Sequence, residues 1–412
     1  MEKQKQSQHP TPLFDTLENL SNPLNLQSNN ALVPYEKEYV LAHQFLYNYR
    51  GSTATFNSYR REIERLLQWS WFVAKKSLQD IHRTDIESFI EFCQKPPEAW
   101  IGIKNVARFI NKAGERTPNP DWRPFVVSVS KTAARHNAIP DLKKHSLSQK
   151  ALQAIFAILS SFFNYMIQEN YVEFNPVAQI RQKSKFIRRY QTKPVIRRLS
   201  ELQWSYVIET AEKMATTNPA IHERTLFIMS ALYGMYLRIS ELAASKRWEP
   251  QMNHFHKDTD GNWWFTTVGK GNKERIISVS ESMLTALQRY RKSLGLPPLP
   301  NPGEKTPLIL KERGKGSITS TRQIRTIVQK CFNETIERLK NDGFNEDAEF
   351  LTAATVHWLR HTGISDDVKH RPREHVRDDA GHSSSATTDK YIDVELRARN
   401  ASAKKKKINP DE

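Results

Sequence analysis

In the stretch "HWLRHTGISDD", His357, Arg360 and His361 stand at i, i+3 and i+4. A helix gathers those spacings on one face. There a guanidinium and two imidazoles could meet a single anion through charge and hydrogen bonds. A solvated basic face has the same spelling. Three other segments carry matching chemistry: "LYGMYLRISEL" holds Arg238, "VGKGNKERIISV" holds Lys270, and "GHSSSATTDKY" holds His382 and Tyr391. Each alone has a plain structural reading. Arg238 can pair with Glu241 on its own helix, and GKGNK is an ordinary glycine-asparagine turn. His382 can cap the turn after Gly381, and Tyr391 can be a packed aromatic. Only a phosphoryl-transfer site asks for all of them together. Such a site needs fixed cations for the phosphate oxygens, a proton donor and an oxygen nucleophile.

Composition points to a polyanion. Among 412 residues, 62 Lys and Arg face 45 Asp and Glu, a formal net charge of +17. Nucleic acid is the leading partner class. No apolar run of about 18 residues stands out, so no membrane partner is expected. The opening "MEKQKQSQHPTPLFD" lacks a signal-peptide core. Cys93 and Cys331 lie far apart, as in a reduced, cytoplasmic protein without a disulfide framework. His254 and His256 have no companion cluster of carboxylates or cysteines and are expected at the surface, so neither a metal nor another cofactor is expected.

The elements that must position these groups follow from periodicity. Residues 1–30 are rich in Gln, Asn, Ser and Pro and suggest a flexible tail. From residue 31 to 185 the pattern is helical, with an insertion at about 96–146 whose structure the pattern does not define. "TFNSYRREIERLLQWSWFVAKK" has an apolar stripe of Phe56, Tyr59, Ile63, Leu66 and Val73, with Arg60, Arg61 and Arg65 off it as candidate DNA contacts, and Ser52 or Thr53 as cap. Thr84 is the expected cap of "DIHRTDIESFIEFCQ", and a long apolar helix begins near Ser148. "RQKSKFIRRYQTKPVIRR", 181–198, holds eight basic residues and no acidic one. It reads as a solvated connector or as a strap across a phosphate backbone, the latter using Arg181, Lys183, Lys185, Arg188 and Arg189, with 186–198 as interdomain linker. The second folded region, 199–412, opens with Ser200 as helix cap and breaks a helix near Gly234. Strands follow on both sides of GKGNK, then further helices, and a C-terminal tail starts at about 395.

The order and wording of the four segments resemble the catalytic domain of the tyrosine recombinases, the phage integrase and Xer family. The resemblance is most specific over residues 226–394 and weaker over 35–185, which is similar to that family's core-binding domain. It implies a mainly α fold with a small antiparallel β-sheet. A helical core-binding domain and a mixed α/β catalytic domain would form a C-shaped clamp on duplex DNA. It also implies that Arg238, Lys270, His357, Arg360, His382 and Tyr391 are catalytic. His361 is expected to hold its helix instead. Four features depart from the family pattern: "KRWEPQMNHFHKDTDGN" lengthens the interval from Arg238 to Lys270 with a few loop residues, "SDDVKHRPREHVRDDA" is unusually charged behind His382, the 96–146 insertion is not typical of the smallest members, and no folded arm-binding module is expected in the N-terminal stretch.

The chemistry fits those residue types. A tyrosine oxygen can attack phosphorus and leave again, but a phenol of pKa about 10 needs help to lose its proton. Arg238 and Arg360 remain charged and can face the nonbridging oxygens. Lys270 suits protonation of the departing deoxyribose oxygen, and the histidines can donate to the phosphate or relay the tyrosine proton. The resemblance implies a 3′-phosphotyrosyl link, no ATP, no catalytic metal, and four protomers on two duplexes with exchanged C-terminal tails. A catalytically silent DNA-binding protein and a type IB topoisomerase-like strand relaxer remain as other readings.

Overall fold

The computed structural model describes residues 10–20, 35–127, 129, 131–135, 137–183, 197–269 and 271–382. Lys185, Arg188, Arg189, Lys270 and Tyr391 lie outside them. The chain divides into two compact units, residues 1–191 and 192–412.

Unit 1 is built on helices α1 (Glu36–Tyr47), α2 (Thr53–Trp69), α3 (Arg83–Gln94), α5 (Gln149–Gln168) and α6 (Pro176–Lys183). Between α3 and α5 run β1 (Ile101–Gly102), β2 (Phe109–Lys112), β3 (Glu115–Pro118), β4 (Phe125–Val126) and the short α4 (Lys131–Arg135). Ser52 caps α2 by accepting from the Thr55 amide, and Ser148 caps α5 by accepting from Ala151. Such a cap contributes roughly 1 kcal/mol. α5 buries eight apolar side chains, from Leu152 to Met166. At roughly 1.5–3 kcal/mol for each large apolar side chain, burial outweighs the cap in fixing this helix. By length and composition α5 could cross a membrane, contrary to the expectation from sequence, but those eight residues belong to the unit 1 core.

Three expectations for this unit need correction, and the 96–146 segment, left undefined by the sequence pattern, gains a structure. The cap of α3 is His82, whose amide donates to Asp85; Thr84 lies inside the first turn. Residues 10–20 are packed, not a loose tail. Phe14 is 1% exposed, the Leu13 amide donates to Glu64 at 2.5 Å, and Arg116 donates to Asp15 at 2.9 Å. Arg60 and Arg65 are not turned to solvent. Arg60 donates to the Asp15 carbonyl, and burial lowers its pKa to about 10. Arg65 donates to the Pro124 carbonyl at 2.7 and 3.0 Å and lies over the Phe125 ring. Both guanidiniums therefore secure the first unit from within, and of the three only Arg61 has a largely open side chain. Finally, the 96–146 segment is integrated into the fold. β1 pairs with β4 in parallel, β2 and β3 form a hairpin, and Trp100, Ile101 and Phe125 join the core.

In unit 2, the Leu199 amide donates to Thr362 at 2.9 Å. Ser200 and Gln203 form a capping box at the start of α7 (Glu201–Thr217). Then come α8 (Pro219–Gly234), α9 (Ile239–Leu242), β5 (Phe255–Lys257), β6 (Trp263–Val268), β7 (Glu274–Ser278) and α10 (Glu281–Ser293). The remaining helices are α11 (Thr321–Asn341), α12 (Asn345–Thr352), α13 (Val356–Asp367) and α14 (Arg373–Ala380). The sheet is antiparallel in the order β5-β6-β7. Within the stretch "KRWEPQMNHFHKDTDGN", Phe255–Lys257 forms a strand, and β6 follows as the alternation in sequence suggests. His254 in that stretch is half-buried and stacks on Trp248 at 4.4 Å, whereas His256 is exposed. Cys93 and Cys331 are buried free thiols, one in each unit.

α13 carries the opening motif, and Gly363 sets how closely it lies on α8. A Cβ at Gly363 would run into the Tyr233 carbonyl and meet the Tyr236 ring at 3.2 Å. The backbone obstacle cannot rotate away. Gly363→Ala is therefore expected to destabilise unit 2 by about 2 kcal/mol or more. Urea unfolding followed by tryptophan fluorescence should show a lower midpoint; an unchanged midpoint would contradict this packing.

Candidate active site

Met235 to Leu237 link α8 to α9, and Tyr236 takes a left-handed conformation with φ 48°. That conformation offers its carbonyl to Arg360, and the Tyr236 hydroxyl donates to Asp367. Arg238 follows as the N-cap of α9, its own amide donating to Glu241 at 2.7 Å. Its guanidinium donates to the second oxygen of Glu241 at 3.0 Å and to the Gly381 carbonyl at 3.4 Å. Arg360, on α13, is 2% exposed and donates to the neighbouring Ala380 carbonyl at 2.6 Å and to His382 Nε2 at 3.3 Å. Two guanidiniums thus grip consecutive carbonyls, and His382 follows directly. The Arg238 side chain is the more open of the two, at 28% exposed.

The end of α14 fixes that junction. Gly381 has φ 62°, its amide donates to the Asp378 carbonyl at 2.9 Å, and the His382 amide donates to Arg377 at 3.1 Å. These are the bonds of a Schellman helix end. The charged stretch before it is internally matched. Arg371 donates to Asp379 at 2.6 Å, Ser278 at 3.0 Å, Asp367 at 3.2 Å and the Tyr236 hydroxyl at 3.0 Å. The Ser278 amide donates to Asp379 at 3.1 Å. The charges behind His382 bind α13, α14 and β7 together.

Sequence reasoning missed Tyr236, Arg275 and Asp379, and weighed Glu241 only as a partner of Arg238. Glu241 is fully buried and also accepts from Arg275 at 2.7 Å. Its place three residues after Arg238 was the available signal. On the hairpin, Gly271 and Asn272 both have positive φ, and a Cβ at Gly269 would lie 3.1 Å from Glu241 Oε1 and 3.3 Å from Arg238. Gly269 therefore abuts the Arg238–Glu241 pair.

The histidines are held neutral. Arg360 can only donate, so His382 Nε2 accepts and the proton belongs on Nδ1. Burial and then Arg360, Arg238, Arg275 and His357 lower the His382 pKa to about 4. His357 is exposed as a residue, yet loss of water around its ring is the first cause of its lowered pKa, followed by Arg360, Arg238 and Arg197. His361 meets His357 edge-on at 4.3 Å, and burial and then His357 and Arg360 push its pKa down to about 3. Neutral imidazoles beside fixed guanidiniums can accept a proton while the cations hold an anion.

The chain is similar to several known proteins. Residues 197–397 match the phage integrase family. Unit 2 is a phage integrase family domain. Tyrosine recombinase XerC of Haemophilus ducreyi is 27% identical over 283 residues, 67% of this chain and 77% of that protein. Tyrosine recombinase XerD of Rickettsia prowazekii is 29% identical over 150 residues, 36% of this chain and 45% of that protein, so the chain spans just under half of that relative. Two solved structures share the fold. XerH recombinase bound to palindromic difH substrate, in a post-cleavage complex, has a TM-score of 0.53 at 13% identity, covering 96% of this chain and 98% of that one. A lambda integrase dimer bound to a COC′ core site has a TM-score of 0.51 at 13% identity, covering 87% and 78%. The mainly helical fold with a small antiparallel sheet is thus that of the tyrosine recombinases.

The depressed histidines predict how this integrase-family domain responds to acid. An unfolded histidine titrates near 6.5. Between that value and the folded pKa of about 3 for His361, the unfolded chain binds the extra proton. The contribution of His361 is therefore fully present above about pH 6.5 and is lost as pH falls toward the folded value. Urea unfolding at several pH values should show stability declining below about pH 6.5, with a flatter decline in His361→Gln. An identical slope in the variant would contradict the neutral packing of His361.

Proposed function

We propose that this chain is a site-specific DNA recombinase or integrase that cuts and rejoins strands through a 3′-phosphotyrosyl intermediate. The observation that carries this reading is the pair of guanidiniums on consecutive carbonyls, flanked by neutral His357 and His382, in a phage integrase family domain. Tyr391 is the nucleophile, nine residues after His382 in the chain. Its oxygen forms the bond to phosphorus as the bond from phosphorus to the 5′-oxygen breaks. A neutral imidazole takes the phenol proton, and Lys270 gives a proton to the departing 5′-oxygen. Arg238 and Arg360 neutralise the charge that gathers on the nonbridging oxygens. The free 5′-hydroxyl can then attack the phosphotyrosine, so the bond energy is kept and joining needs no ATP.

On this reading the two units clasp duplex DNA, and Arg61, Arg181, Lys183, Lys185, Arg188 and Arg189 contact its phosphates without regard to sequence. Four protomers assemble on two duplexes with exchanged C-terminal tails. The reaction serves integration, excision or resolution of a mobile element in the bacterial cytoplasm. The Xer relatives and the DNA-bound structural neighbours support this assignment.

The test is a nicked suicide substrate that traps the covalent adduct, run in excess EDTA beside a gel-shift titration. The native chain should form the adduct in EDTA, because its own cations carry the phosphate charge. Tyr391→Phe should form none while its DNA affinity stays within about threefold, since many other phosphate contacts remain. Adduct from the Phe variant would overturn the nucleophile. Binding without any adduct from the native chain would favour a silent DNA-binding protein. Relaxation of plasmid by a monomer without site preference would favour the topoisomerase-like reading.

A further inference from the structure

Arg275, on β7, lies just past the turn that contains Lys270 in sequence. Its guanidinium has three attachments. It donates to Glu241 at 2.7 Å, to the Asp379 carbonyl, and to the Tyr236 carbonyl at 3.5 Å. Each attachment leads to a different proposed catalytic group. Glu241 holds Arg238, Asp379 stands three residues before His382, and the Tyr236 carbonyl receives Arg360. The packing is equally close, because a Cβ at Gly381 would lie 2.7 Å from Arg275 Cδ. The Arg275 side chain is only 9% exposed, against 28% for Arg238.

Two guanidiniums thus share one buried carboxylate. Arg275 takes Oε2, which also accepts the Arg238 amide, while Oε1 is left to the Arg238 side chain. Without Arg275, the full charge of Glu241 would fall on Arg238, drawing it back from an incoming phosphate and cancelling its charge. A lysine could not replace this fork, since an ammonium is a point charge on a flexible stem and cannot reach three acceptors in one plane.

We propose that Arg275 is a positioning residue for strand cleavage: it divides Glu241 with Arg238 and ties the hairpin containing Lys270 to the Arg360 and His382 side of the site. This rests on the phosphotyrosyl reading above. Arg275 itself does not touch DNA; it determines how much of the positive charge of Arg238 the scissile phosphate meets.

The test compares Arg275→Lys and Arg275→Gln with the native chain in single-turnover cleavage of two nicked substrates. One has an ordinary scissile phosphodiester, and the other has a methylphosphonate whose neutral phosphoryl group makes little demand on Arg238. The variants should melt within about 5 °C of the native chain and bind DNA within about threefold, because other phosphate contacts dominate affinity. Cleavage of the phosphodiester should slow by about tenfold or more, and that deficit should shrink to about two- or threefold on the methylphosphonate, where Arg238 matters less. Equal deficits on both substrates, no deficit on either, or collapse of folding in both variants would overturn the proposal and leave Arg275 a stability residue. Absence of any adduct from the native chain would instead overturn the functional reading beneath it.

Discussion

A fully buried carboxylate must be paired, and Glu241 is paired twice. A buried charge left with no partner at all typically costs about 3–5 kcal/mol, and Glu241 keeps one partner when either arginine is lost. Pairing of that charge holds Arg238 and Arg275 around Glu241. It also orders the site before any ligand arrives. Arg275 reaches the end of α14, Arg238 reaches the Gly381 carbonyl, and Arg360 closes the ring through Ala380 and Tyr236. Cations fixed in advance need not reorganise as charge develops on a substrate.

The same crowding of guanidiniums governs the histidines. His357, His361 and His382 stand near arginines in a partly dry setting, and all three have lowered pKa values. The permanent positive charge of the site therefore comes from arginine, and burial beside those arginines favours the neutral form of the imidazoles. The left-handed Tyr236 and the tight approach at Gly363 serve this division. The first aims a carbonyl at Arg360, and the second lets α13 lie close enough to α8 for Arg360 to reach it.

Much of this architecture was legible from sequence because its signals are local. The serine caps at 52 and 200, the helix start near Ser148, the break near Gly234 and the hairpin around GKGNK each follow from a few adjacent residues. The face holding His357, Arg360 and His361 is a matter of helical period. Long-range partners were not legible. Nothing near Arg60 or Arg65 announces that their guanidiniums will be used by Asp15 and Pro124, far away in the chain. The apolar residues of the 10–20 segment are too few to signal packing, yet Phe14 is fully inside. Arg275 reads as one more basic residue in a hairpin. Its meaning depends on Asp379, which lies 104 residues later.

If the proposed function holds, the cluster of Arg238, Arg360, His357 and His382 is the seat of the scissile phosphate. The most direct measurement is an experimental structure of Tyr391→Phe on nicked duplex DNA. One phosphate should sit with guanidinium nitrogens of Arg238 and Arg360 about 3 Å from its nonbridging oxygens, within hydrogen-bond reach. His357 and His382 would border the same phosphate, and the Arg275–Glu241 pair would remain intact beneath it. DNA bound with its phosphates away from this cluster, or an Arg360 still committed only to Tyr236, Ala380 and His382, would contradict this assignment.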